Sequence, residues 1–257
     1  MSMPDIPPPA IETIDGVLDA LTVIIGSARA GSSRLGYFPA LYRRVTREVQ
    51  RGIAAGRFED GPRMEKLDVI FANRYLSAYD DWIAGRPASR CWALAFDAAS
   101  RSDCIILQHL LLGMNAHINL DLAIAAAEVA PGASLASLRR DFNEINQILF
   151  EQVNGVQDAI GSVAPLMWLL DYVGGRDEEK FVEFSLTKAR DAAWMQAERL
   201  STQTGSSLPG AISMADSVVT VVGNGVLNPP GWLLRAVLQL LVRLEVKNVS
   251  RVIDALA

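Results

Sequence analysis

Apolar residues along this chain recur three and four positions apart and seldom alternate strictly with polar ones. That periodicity predicts amphipathic helices and no convincing strand. Abundant Ala, Leu, Arg and Glu favour the same backbone. Helices are predicted near residues 11–28, 36–55, 63–84, 88–100, 104–129, 134–160, 163–173, 178–203, 208–222, 231–243 and 246–256. The breaks carry turn chemistry: Gly31-Ser32-Ser33, Gly56 and Gly61-Pro62, Gly85-Arg86-Pro87, Pro131-Gly132, Gly174-Gly175 and Asn228-Pro229-Pro230-Gly231. Ser134 is placed to cap the helix that follows Pro131-Gly132. Pro4, Pro7, Pro8 and Pro9 predict a stiff, poorly ordered tail over residues 1–10. Residues 11–257 show no internal repeat and read as a single all-α domain, a multi-helix bundle around a buried central helix. Residues 201–210 form the weakest-looking linker, so the helices after 208 are the ones placed to pack as a separate layer or dimer element.

The central helix breaks the pattern. Its sequence, QHLLLGMNAHINLDLAIAAAE, is apolar on every side yet holds both histidines of the chain. A helix apolar all round is buried, so its polar groups need internal partners or a task. His109, Gly113, His117 and Asp121 recur every four residues and wind slowly along one side; Asn115 and Asn119 form a second such pair. His117 and Asp121 lie about 6 Å apart along the axis, close enough to share a ligand. His109 and His117 are about 12 Å apart, too far to meet on one ion in a straight helix. Gly113, lacking a Cβ, lets another backbone or a substrate come close.

Two readings of this set stay open. In one, His117 and Asp121 are half of a divalent-metal site for Zn²⁺ or Fe²⁺, or a base with its orienting carboxylate. His109 is then a second acid–base group, and Asn115, Asn119 and Gly113 contact substrate. Further ligands would come from Asp80, Asp81, Asp141, Glu144 or Asp171. In the other, the same groups form a hydrogen-bond network with no chemistry. Asp141 and Glu144 also suit a helix N-terminus. Arg190 and Trp194, one turn apart, read as substrate contacts or as core packing with a snorkelling arginine. Asp80-Asp81-Trp82 reads as a surface helix end.

Charge and composition narrow the classes. Half of the residues are hydrophobic and the net charge is −5. Mean hydropathy is +0.20. The densest basic run, Arg43, Arg44, Arg47 and Arg51 with Glu48, reads as a solvated helix face, so no nucleic-acid partner is expected. Cys91 and Cys104 lie in apolar stretches and read as buried thiols of a reducing compartment. The N-terminus lacks a secretory pattern. No uninterrupted apolar run reaches the roughly 18 residues of a membrane span; the stretch from Trp232 carries Arg235 and Gln239. A cytoplasmic protein without a membrane span is expected. G-x-S-x-G, Walker, dinucleotide-binding and H-E-x-x-H patterns are missing.

The segments LGYFPALYRRVT, FEDGPRMEKLDVIFANRYLSAYDDW, LQHLLLGMNAHINLDLAIAAAEVAPG, DFNEIN and FSLTKARDAAW together resemble a bacterial and fungal helical family classed as a domain of unknown function. The resemblance spans roughly residues 31–200 and rests on Gly113-Met114-Asn115-Ala116-His117-Ile118-Asn119 with Asp121-Leu122. It implies an all-α fold, His109 upstream and the Arg190/Trp194 pair downstream, and implies no reaction. Three functions fit these residues. The first is an enzyme (hydrolase, lyase, isomerase or cyclase) acting on a small, largely apolar molecule in an interhelical pocket. The second is a protein that only binds such a hydrophobic molecule. The third is a structural protein, with the C-terminal helices available for a homodimer.

Overall fold

The computed structural model describes residues 10–164 and 178–257. Among these it has eleven α-helices and no strand. The helices are α1 (Ile14–Ala30), α2 (Tyr37–Ala54), α3 (Gly61–Ile83), α4 (Arg90–Ser100), α5 (Ile106–Ala116), α6 (Ala123–Val129), α7 (Leu135–Val163), α8 (Glu178–Ser201), α9 (Ser207–Leu227), α10 (Trp232–Leu244) and α11 (Val249–Leu256). Most of the helix predicted at 163–173, and with it Asp171, lies outside the described residues.

Local chemistry sets several starts. The Thr13 hydroxyl accepts from Gly16 N at the head of α1, and Asp60 accepts from Arg63 N at the head of α3, where Pro62, having no N–H, needs no acceptor. Ser134 occupies the N-cap position of α7 as expected, but its hydroxyl donates to the Pro131 carbonyl rather than accepting from the first turn. Asp141 does not cap α7, because that helix already begins at Leu135. Its carboxylate instead accepts from Glu59 N at 2.7 Å, Asp60 N at 3.1 Å and Arg63 Nη2 at 3.1 Å, which fixes the loop into α3. Glu144 pairs with Arg57.

The helix predicted over 104–129 is one rod with two pitches. α5 and α6 are α-helical, and His117–Leu122 between them forms a π turn. The rod is packed by α2, α3, α4, α8 and α9. Most of its apolar residues are buried, among them Leu110, Leu112, Leu120, Leu122 and Ala123–Ala127, while Leu111 is exposed and Leu107, Met114 and Ile118 are half-buried along the cavity described below. α9 packs on α4 and α5, and Asp216 accepts from Arg90 N and Cys91 N at 2.9 Å each at the head of α4. α11 packs on α1, α2 and α7. Glu245 accepts from Ile106 N at the head of α5. The α5–α6 rod and α9 are long and apolar enough to cross a membrane by length and composition alone; the first is mostly buried inside the fold.

Candidate functional site

The π turn carries the polar centre. His117 Nδ1 lies 3.2 Å from Asp121 Oδ2. Two side chains from other helices hold that carboxylate: Arg74 Nε of α3 donates to Oδ1 at 3.0 Å and Trp92 Nε1 of α4 donates to Oδ2 at 2.8 Å. Asp121 is 1% exposed. A carboxylate paired with Arg74 only accepts, so His117 carries its proton on Nδ1 and keeps the lone pair on Nε2. Burial pushes the His117 pKa below its ordinary value, against the pull of Asp121, so the ring is neutral near pH 7. Nε2 is buried and has no hydrogen-bond partner.

The His117–Asp121 pair sits between two hollows. Asp121, Arg74 and Trp92 line a polar cleft of about 410 Å³ with Asn73, Ser77 and Glu128. His117 instead lines an apolar cavity of about 200 Å³, or about 1330 Å³ of empty space with its open mouth. Leu107, Leu110, Leu111, Met114, Ile118 and Leu122 mark its wall along the rod, a stripe roughly 20 Å long at 1.5 Å per residue. α2, α3 and α7 supply the other walls. The ring of Phe71 stacks on His117 at 3.5 Å between centroids, and Tyr42 meets it edge-on at 4.4 Å.

Asp68 also lines this cavity. Its Oδ2 has no partner, and burial, with the nearby Glu65, pushes its pKa up to about 7. Burial likewise holds the Tyr42 phenol protonated. The cavity thus sets a neutral imidazole and a readily protonated carboxyl in an apolar wall. Neither Asp68 nor Arg74 was singled out from the sequence. A charged residue at position 68, inside the α3 stripe of Met64, Leu67, Phe71 and Tyr75, was the available signal.

The other expected site residues go elsewhere. Gly113 admits neither substrate nor backbone: a Cβ there would lie 2.5 Å from the Phe38 ring. Gly113→Ala is expected to cost about 1–3 kcal/mol by overpacking. Urea unfolding measures it, and Phe38→Leu in the same chain should return part of the loss. Asn115 donates to the Val219 carbonyl and accepts from Asn119, so the pair braces α9 and lines neither hollow. Arg190 lines the cavity, donates to the Phe142 carbonyl and lies over the Phe142 ring. Trp194 packs on the same Phe142, outside the cavity, and donates to Glu198.

His109 does not join His117. It lines a separate small hollow with Arg34, Tyr37, Cys104 and Glu245, and meets Tyr37 edge-on. Burial, then the Arg34 and Arg101 charges, pulls its pKa down to about 4. The folded value lies below the unfolded one of about 6.5, so the unfolded chain takes up the proton first. Stability from this group is complete above about pH 6.5 and is lost as pH falls toward 4, by about 3 kcal/mol. His109→Phe should remove that share of the acid loss, read as urea midpoints at pH 7 and near pH 4.

The metal expected on His117 and Asp121 does not suit the residues present. Arg74, a cation, takes one Asp121 oxygen, and Trp92 and His117 take the other. No group of three or more His, Cys, Asp or Glu among the described residues is placed to hold an ion. Asp81 pairs with Arg86, and Asp141 and Glu144 are engaged as described above.

Residues 14–229 match a family model described as a family of unknown function, DUF5995. The chain belongs to that family. The match takes in α1 to α9, with the whole central rod, and ends before α10 and α11. No curated protein and no solved structure matches the chain.

Proposed function

We propose that this protein is an enzyme that moves a proton on a small, largely apolar molecule lying along the rod, with His117 as the base. The observation that carries this reading is His117 Nε2: buried, unpartnered, opposite a carboxylate-anchored Nδ1 and set in an apolar cavity wall. Leaving such an atom unpaired costs folding free energy, which a substrate's polar group or acidic hydrogen would offset. Asp121 acts as a positioning residue, fixing the tautomer. Asp68 of α3 and the Tyr42 phenol of α2 line the same cavity and would return a proton or polarise a substrate oxygen. No Ser, Thr or Cys is among the described cavity-lining residues. That favours proton transfer, as in an isomerase, lyase or cyclase, over hydrolysis through a seryl or cysteinyl intermediate.

The test uses C8–C15 ketones and enones as probes in deuterated water, with NMR following exchange of the hydrogens beside the carbonyl. Exchange should be faster with the wild type than with His117→Gln by about 10²–10⁴-fold, the usual contribution of a positioned base. Binding of the probes without exchange would instead support a protein that only sequesters an apolar molecule, which the cavity itself also suits. Neither binding nor exchange would sink both readings.

A further inference from the structure

The C-terminal helices present apolar side chains to solvent in an ordered way. On α9, Met214, Val218, Val221 and Val222 lie on one side and are 74%, 61%, 72% and 50% exposed. On α10, Trp232, Ala236, Leu240 and Leu244 fall four residues apart and are exposed, with Trp232 at 77%. Beside that stripe runs a second one, Arg235, Gln239 and Arg243, also exposed. Patches of this kind mark interaction surfaces.

Charge says what covers this one. The chain carries −5 overall. Yet between residues 202 and 253 the acidic residues are Asp216 and Glu245, both buried and both spent on backbone N–H groups. The exposed charges of that stretch are Arg235, Arg243, Lys247 and Arg251, all basic. Apolar Trp and Leu flanked by arginine is the composition of a helix lying in the plane of a membrane interface. At 13 residues α10 is too short to span a bilayer and carries two arginines. The long arginine stems can rest on the apolar surface while their heads reach lipid phosphates.

We propose that α10, with the exposed side of α9, docks this protein on an anionic lipid bilayer. The position of α10 gives the docking a use. The residues just after it are tied to two of the cavity-lining helices: Glu245 binds Ile106 N, next to cavity-lining Leu107 on the rod, and Val246 N donates to Val163 O, one turn past cavity-lining Ile160 on α7. Docking would set the apolar cavity beside a reservoir of apolar molecules. The proposal goes beyond the catalytic reading and stands without it.

Flotation of the full chain with two kinds of vesicle tests it: phosphatidylcholine alone, and phosphatidylcholine with phosphatidylglycerol. Binding should be stronger on the anionic vesicles, weaken with salt, and fall about five-fold for each of Arg235→Gln and Arg243→Gln. Trp232→Ser with Leu240→Ser should abolish it. Both side chains are exposed, so an unchanged far-UV circular dichroism spectrum is the fold control. Flotation with neither vesicle, or equal flotation of that double variant and the wild type, overturns the proposal. A concentration-dependent dimer that the double variant loses, without flotation, gives the face to a second copy and overturns it too.

Discussion

Asp121→Ala should cost about 3–5 kcal/mol of stability, the range for removing one partner of a buried ion pair. The carboxylate is the meeting point of Arg74, Trp92 and His117, from α3, α4 and the rod. Its loss leaves a buried indole N–H and a buried imidazole N–H unpaired, each worth about 1–3 kcal/mol. Arg74 is 30% exposed and regains some water, which holds the total within that range. Urea unfolding of Asp121→Ala, Arg74→Met and the double variant measures the coupling; simple additivity would show that the ion pair contributes nothing. Asp121→Asn separates structure from chemistry. It keeps one carbonyl oxygen, which accepts from Arg74 at the Oδ1 position, and sets its N–H₂ at the Oδ2 position, where Trp92 loses its acceptor at a cost of about 1–3 kcal/mol, less than in Asp121→Ala. Its amide N–H₂ can donate to Nδ1, which moves the imidazole proton to Nε2. Carbonyl-adjacent exchange should then fall as far as in His117→Gln, while the far-UV spectrum stays unchanged.

Asp141→Ala is expected to reach a similar loss, about 3–5 kcal/mol, for a different reason. Asp141 is 1% exposed and stands in for the missing hydrogen-bond partners of a loop. Its two oxygens hold Glu59 N, Asp60 N and Arg63. Once it is gone, two amides and a guanidinium at the entrance to α3 have no carboxylate. Asp141→Asn, which keeps one acceptor, should lose about half as much. Amide hydrogen exchange at Glu59 and Asp60 reports the cause directly. If these amides stay protected in Asp141→Ala, the loop is held by something else. Because α3 brings Asp68 and Phe71 to the cavity, the same variant should weaken probe binding.

Much of the fold was legible because helical periodicity and turn residues are local signals. The boundaries of α2, α3, α4 and α11 fall within a few residues of expectation. The central helix stood out because polar groups in an all-apolar segment are costly, and His117 with Asp121 was readable from one-turn spacing. Their partners were not. Arg74 and Trp92 are 47 and 29 residues away, and only tertiary packing decides that they point at Asp121. Grouping His109 with His117 followed from a shared stripe, yet α2 delivers Tyr37 to one and Tyr42 to the other, in separate hollows. Gly113 signalled close approach correctly, but not that the visitor is Phe38. The π turn has no residue signature that periodicity can detect.

That wide turn has a consequence for the rod as a whole. It spends one extra residue where an α turn would close, which rotates everything beyond Leu122 by about 100° relative to an uninterrupted helix. The two halves are therefore phased separately: α5 aims its leucines at one hollow while α6 aims its alanines at α3 and α8. Dropping a single residue there would restore ideal pitch and swing the alanine seam off α3 and α8.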